Sequence, residues 1–385
     1  MIYLDNAATS WPKPLQVYQT LATFLQRAGA NPGRASHRMA VDAATALLET
    51  RASIARLINA ERPEQIVFSL NATDALNLAI RGLIRLGDRV ITTSMEHNSV
   101  TRPLRAMADL GAEVVKVRAS FDGVIDVNCL CRAAQKNVRL IAITHASNVN
   151  GAIQPIAEIA EIAREVGAYL LVDGAQTVGA MPVDVQALGI DLLAFPGHKA
   201  LMGPPGTGGL YISPRVDLGE FEPQRAGGTG FNSEEEVQPC SLPERYESGT
   251  NNTVGIAALG AGVEFILDQG VDAIWEHDRS LVQQLTDGFS MIDGVHVVPS
   301  GSGCQTAAVV SFTIDGWQPA DVGAALDQSF DIACRTGLHC APDSCRTLGV
   351  FPTGTVRFSP GFFTTPEDVD TAIAAIAEIA GSPLS

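Results

Sequence analysis

Five stretches of the chain repeat one arrangement, in which a short apolar run closes on polar residues and, in several of them, a pattern of helical period follows. They are "QIVFSLNATDALNLAIRGL" (65–83), "DRVITTSMEHNSVTRPLRAM" (88–107), "RLIAITHASNVNG" (139–151), "AYLLVDGAQTVGAM" (168–181) and "IDLLAFPGHKALMG" (190–203). Apolar runs alternating with helical patterns predict an α/β fold around a mostly parallel sheet. In such sheets ligands gather beyond the carboxyl ends of the strands, because the connecting loops and helix N termini open on that edge. The residues expected there are Asn71 to Asp74, Glu96 and His97, Asn148, Asp173 and Gln176, and His198 and Lys199, so five loops should converge on one pocket.

Beyond these repeats, residues 215–254 are rich in Gly, Pro, Ser and acids, and a segment this long without periodicity reads as a functional loop or a linker. After it, helical patterns ("IAALGAGVEFILDQ") alternate with strand-like ones ("AAVVSFTI"), and a capped helix follows Thr365-Pro366-Glu367. The expected division is a larger α/β domain over 16–248 and a smaller α+β domain made of 1–15 and 249–385. No internal repeat or low-complexity tract interrupts this organisation.

Composition narrows the function classes. The 385 residues are about right for two domains, and with 46% apolar and 18% charged residues there is ample material to bury. Acids outnumber bases 42 to 26, for a net charge of −16, which argues against nucleic acid as a partner. The start "MIYLDNAATSW" carries no basic n-region, and no run approaches the roughly 18 apolar residues of a membrane span, so a soluble cytoplasmic protein is expected. Seven cysteines (Cys129, Cys131, Cys240, Cys304, Cys334, Cys340 and Cys345) are an odd number, and most are expected to be free thiols.

Candidate chemistry starts from Lys199, one of four lysines with Lys13, Lys116 and Lys136, and the one at an expected strand end among glycines. Lys116 and Lys136 read as surface charges. "GPPGTGG" follows Lys199 instead of preceding a Gly-Lys-Ser/Thr, so the P-loop pattern fails. A solvated surface lysine and a Schiff-base lysine remain, the latter needing a partly desolvated amine. Asp173 follows the apolar "AYLLV" and needs a cationic or N–H partner there; a capping carboxylate and an acid facing a protonated pyridine nitrogen both satisfy that. "NATD", at a strand-to-helix junction, offers backbone N–H groups and the Thr73 hydroxyl to a phosphate.

Together, "YLDNAATSWPKP", "NATDALNLAIRG", "MEHNSV", "THASNVNG", "VDGAQTVG", "GHKALMGPPGTGGLYI", "YESGTNN", "RTGLHCAP" and "VRFSPGFF" resemble, in order, the segments of class V aminotransferase-fold enzymes, specifically cysteine desulfurases. The resemblance spans nearly the whole chain. It implies the pyridoxal phosphate-dependent transferase fold of type I, with L-cysteine converted to L-alanine and the sulfur left on Cys340 as a persulfide. It assigns Lys199 as the residue that links pyridoxal 5′-phosphate, with His97 stacked on the ring and Asp173 on the pyridine nitrogen. Gln176 and Asn148 would lie near the ring hydroxyl or the substrate. Ala72, Thr73 and His198 would hold the phosphate, with Thr250 reaching it from the other subunit of a homodimer, and Arg357 would clamp the substrate carboxylate. A sulfur-acceptor protein and a place in iron–sulfur cluster assembly are implied as well. The same fold also hosts selenocysteine lyases, with L-selenocysteine as substrate, and other lyases and aminotransferases, which Cys340 and the product tell apart.

A cysteine such as Cys340 is also compatible with plain burial, but its basic neighbours Arg335 and His339 are expected to favour the thiolate. Cys334, His339, Cys340 and Cys345 lack paired Cys-x2-Cys spacing, so no metal site is expected. Two positions depart from the family pattern. Pro196 stands where a phosphate-binding serine precedes Gly-His-Lys, and Leu338 stands where a second histidine is frequent. The short "RTGLHCAP" segment is most similar to the Suf-type and selenocysteine lyase-like group.

Overall fold

The computed structural model describes residues 1–32, 37–134, 137–230, 234–301 and 306–382; Lys136 and Cys304 lie outside these. In the first half, β1 (Ile2–Tyr3), α1 (Leu15–Ala28) and α2 (Arg38–Leu57) lead into β2 (Ile66–Ser69) and α3 (Ala72–Leu83). Next come β3 (Arg89–Thr93), α4 (Asn98–Asp109), β4 (Glu113–Val117) and α5 (Val127–Ala133). Then β5 (Val138–Thr144), α6 (Ile156–Glu165), β6 (Tyr169–Asp173), β7 (Leu192–Pro196) and β8 (Gly208–Ile212) complete a sheet of order β2-β8-β7-β6-β5-β3-β4. All its strands are parallel except β8, which runs against both neighbours.

The apolar runs are continuous because both faces of this sheet are covered. Along β5, Ile141 and Ile143 face one core with Ile54, Phe195 and Leu259, while Leu140 and Ala142 face another with Leu76 and Leu104. That is the period of two expected of a strand. The antiparallel β8 is what brings the loop 197–207 onto the carboxyl edge, since a hairpin-like return must turn at that end. The edge is tight: a Cβ on Gly208 would stand 2.8 Å from Asn71 Cα, so glycine is what lets the start of α3 close on β8.

The second half holds α7 (Thr253–Gln269), α8 (Val271–Ser290), β9 (Val295–Val297), β10 (Val310–Ile314) and α9 (Pro319–Phe330). It ends with β11 (Ile332–Ala333), β12 (Arg335–Gly337), α10 (Pro342–Thr347), β13 (Thr355–Phe358) and α11 (Pro366–Gly381). An antiparallel sheet β12-β13-β10-β9 packs on α8, α9 and α11 through Leu285, Phe289, Phe312, Phe358 and Ile376. The N terminus joins this smaller unit, β1 pairing in parallel with β11. Ile256, Leu259, Val263 and Ile266 of α7, by contrast, belong to the larger core. That core continues past α7 to Ile274 at the start of α8. Segment 215–254 is no free linker. Phe221 and Tyr246 are buried in it with rings 4.6 Å apart, and Glu247 forms a buried ion pair with Arg51 at 2.8 Å. Among the described residues no single helix is long and apolar enough to cross a membrane.

Candidate active site

A cavity of about 320 Å³ opens where the strands end. Ala72 and Thr73 enter it after β2, His97 after β3, Asn148 after β5, Asp173 and Gln176 from the end of β6, and His198 and Lys199 after β7. The smaller unit adds Arg335, His339, Cys340 and Arg357. Asp74 and Glu96, expected at this edge, do not line the cavity, nor does Thr250, expected to serve the other subunit: the Asp74 carboxylate accepts from Leu70 N–H at 3.1 Å and pairs with Arg225. Thr250 is exposed just before α7, and Glu96 turns inward, fully buried, with Thr93 Oγ1 donating to it at 2.5 Å. Burial, chiefly, pushes the Glu96 carboxyl up to about 8.

Lys199 has no hydrogen-bond partner for its amine among the described residues. Burial drives its ammonium down to about 8, against the opposing pull of Asp173, so the lysine is not a solvated surface charge. Its loop is held by Gly197 N–H donating to Thr207 O at 2.8 Å and by the Ser10 hydroxyl donating to Lys199 O at 2.7 Å. Asp173 is 4% exposed and accepts from Ala175 N–H at 3.0 Å. Burial raises its carboxyl, while the Ala175 N–H and Lys199 oppose the shift.

His97 is the N-cap of α4, its Nδ1 accepting from Ser99 N–H at 3.0 Å. Burial, with Lys199, Arg102 and Arg357 adding to it, takes its ring down to about 4, so a neutral aromatic face meets the cavity at neutral pH. His198 is likewise held at about 4, first by burial. Asn71 caps α3 by accepting from Asp74 N–H at 2.9 Å, which leaves the Ala72 and Thr73 N–H groups uncapped. Thr73 Oγ1 lies 2.7 Å from Ser99 Oγ, a hydroxyl the sequence reading missed. Pro196 offers neither hydroxyl nor N–H, whereas the Thr73 and Ser99 hydroxyls beside the start of α3 do line the cavity.

Arg357 is 2% exposed; its Nη2 donates to Asp5 Oδ1 at 2.8 Å and its Nη1 to Asn148 O at 2.9 Å, leaving Nε buried without a partner among the described residues. Arg335 shares Asp5, 3.3 Å away. Asp5 sits in the quoted "YLDNAATS", but no local spacing links it to arginines more than three hundred residues on.

Cys340 is exposed and lines both this cavity and a second opening, of about 440 Å³, along α3 and α4 beside Arg81 and Arg102. Its turn is left-handed at two successive residues, His339 (φ 51°) and Cys340 (φ 57°), a conformation costing a non-glycine residue about 1 to 2 kcal/mol. The expected cationic help from His339 is overturned. The ring is 5% exposed and burial, with Arg357 and Arg335, drops it to about 3, so it carries no charge at working pH. Cys334 and Cys345 lie in different cores, with thiols pushed by burial up to about 12 and about 11. Among the described residues no group of three or more His, Cys, Asp or Glu side chains is placed to hold a metal ion.

A family model described as aminotransferase class-V matches residues 2–371. A probable cysteine desulfurase of Methanothermobacter thermautotrophicus is 37% identical over 384 residues, covering 99% of this chain and 95% of that protein. A cysteine desulfurase of Salmonella dublin is 33% identical over 387 residues, covering 98% and 93%. Among solved structures, apo cysteine desulfurase from Thermococcus onnurineus NA1 superposes with a TM-score of 0.92 at 34% identity, covering 98% of this chain and 94% of that one.

Proposed function

The chain belongs to the class V aminotransferase family, whose members depend on pyridoxal 5′-phosphate, and from that premise we propose that it is a cysteine desulfurase. The observation that carries this reading is that the Lys199 amine and the Cys340 thiol, 141 residues apart by number (340 minus 199), open into one cavity.

The residues present suit the cofactor. Asp173, a buried carboxylate with one N–H partner, is an acceptor for a protonated ring nitrogen. The uncapped N–H groups of Ala72 and Thr73, with the Thr73 and Ser99 hydroxyls and His198, suit a phosphate. His97 offers a neutral ring for stacking, and Gln176, tied through Nε2 to Ala7 O at 3.2 Å, lines the same cavity. When bound, pyridoxal phosphate supplies an electron sink for the substrate's α-carbon. Lys199 would hold the cofactor, and its Nζ would take the substrate's α-proton and return it to carbon. Arg357, with Asn148 against it, orients the substrate carboxylate. Cys340 attacks the substrate sulfur: an S–S bond forms, the C–S bond breaks and its electron pair goes to carbon, which takes a proton. The products are L-alanine and a Cys340 persulfide, and no outside oxidant is needed. Incubating the loaded protein with L-cysteine and with L-selenocysteine, and quantifying alanine and bound persulfide, tests the assignment.

Because Lys199 titrates near 8 in place of its ordinary value, only about a tenth of the amine is free at pH 7 and about half at pH 8. The free amine is the nucleophile, so capture of the cofactor by the empty protein should speed up about fivefold from pH 7 to 8 and level off above 9. Stopped-flow absorbance measures this, and a rate still climbing about sevenfold from pH 9 to 10, as an ordinary lysine would give, would contradict the desolvated amine.

We also propose a homodimer, and a sulfur-acceptor protein working in iron–sulfur cluster assembly. Supporting the dimer, Thr250 faces solvent on its own chain while the α3 end of the cavity has donors to spare. Mixing Lys199→Ala and Thr250→Ala chains should restore part of the activity through mixed dimers. A strictly monomeric, fully active protein by sedimentation would overturn it.

A further inference from the structure

We propose that His339 and Thr355 are positioning residues that clamp the turn carrying Cys340, so that the thiol meets the substrate sulfur from a fixed seat in register with Arg357. The proposal rests on the desulfurase reading. The turn from Leu338 to Ala341 is closed by Ala341 N–H donating to Leu338 O at 2.9 Å, and both left-handed residues in it are tied outward through their carbonyls. His339 O accepts from Asn148 Nδ2 at 2.6 Å, and Cys340 O accepts from Asn98 N–H, at the start of α4, at 2.8 Å.

The third tie is a side chain. His339 Nε2 lies 2.8 Å from Thr355 Oγ1, both residues being buried, and among the described residues Nδ1 has no hydrogen-bond partner, so the ring is anchored through Thr355. A neutral ring cannot help Cys340 by charge; holding the backbone is what it can do. Thr355 opens β13, and two residues on, on the same face of that strand, stands Arg357, which grips Asn148 O. The contacts therefore close a circuit from Thr355 through His339 to Asn148 and back to β13 at Arg357. One strand thus sets both the nucleophile's seat and the residue proposed to hold the substrate carboxylate. Sulfur transfer needs such registry, because displacement of a reacting atom by about 1 Å can cost on the order of a hundredfold in rate.

The test compares Thr355→Val, which removes the hydroxyl but keeps the β-branched shape, with Thr355→Ser, which keeps the hydroxyl. In the cofactor-loaded protein, Thr355→Val should lower kcat for alanine about 10- to 100-fold while KM for L-cysteine stays within about threefold. Thr355→Ser should stay near wild type, and His339→Phe should match Thr355→Val without adding to it in the double variant. In the cofactor-free protein, deuterium uptake over residues 336–346 should rise in the valine variant and not in the serine one. Unchanged turnover in Thr355→Val, unchanged uptake, or a loss carried by KM would overturn the clamp. If the wild-type protein makes no alanine, the desulfurase reading fails, and deuterium uptake alone decides the clamp.

Discussion

Replacing Cys340 with serine should abolish persulfide formation and lower alanine release by at least about a thousandfold, because a covalent step loses its nucleophile. The earlier steps involve Lys199, Asp173 and Arg357 and no protein thiol. The variant should therefore still bind the cofactor and still change its absorbance when L-cysteine is added. Cys334→Ala and Cys345→Ala serve as controls and should keep activity within about tenfold. Cys334 is half-buried against one core and Cys345 is buried in another, and burial raises their thiols to about 12 and about 11, whereas Cys340 is exposed at the cavity. Alanine formation by Cys340→Ser at the wild-type rate would end the desulfurase reading in favour of a lyase that needs no cysteine.

Lys199→Ala should leave protein that retains no cofactor after borohydride treatment and makes alanine at least about a thousandfold more slowly, since the covalent link and the proton carrier vanish together. In the wild type, borohydride should fix the cofactor on the peptide containing Lys199. The competitor to watch is Lys13, whose ammonium burial also lowers to about 8. Its Nζ, however, donates to Ser10 Oγ and His198 O, both at 2.7 Å, and it is not among the residues lining the cavity. Lys116 is committed to an ion pair with Asp343. Label on Lys13, Lys116 or Lys136 would overturn the assignment of Lys199.

The sequence by itself determined five of the seven strands of the larger sheet, the edge on which their loops gather, and the family. An apolar run such as "RLIAIT" followed by polar residues is a local statement. Its period of two places Ile141 and Ile143 against one core and Leu140 and Ala142 against the other, and the chain cannot satisfy both without covering both faces of a sheet. The quoted "NATD" likewise marks a strand-to-helix junction, where α3 starts at Ala72. Lys199 stood out through the glycines around it, and Asp173 through the buried run before it.

What the tertiary structure decided depends on groups far apart along the chain. His339 reads as a base beside Cys340, yet residues from other elements strip it of water and make it neutral, which turns an expected charge effect into an anchor on Thr355. Asp5 joins Arg335 and Arg357 only because β1 lies along β11 and the smaller sheet, and Ser99 meets Thr73 only because α3 and α4 pack side by side. α7 follows the long loop in sequence but buries Leu259 and Val263 in the larger core. Local pattern is set by neighbours within a turn or two. Charge state, hydrogen-bond partner and the core a helix joins are set by what the whole fold places around a residue, and short windows of sequence carry no record of that.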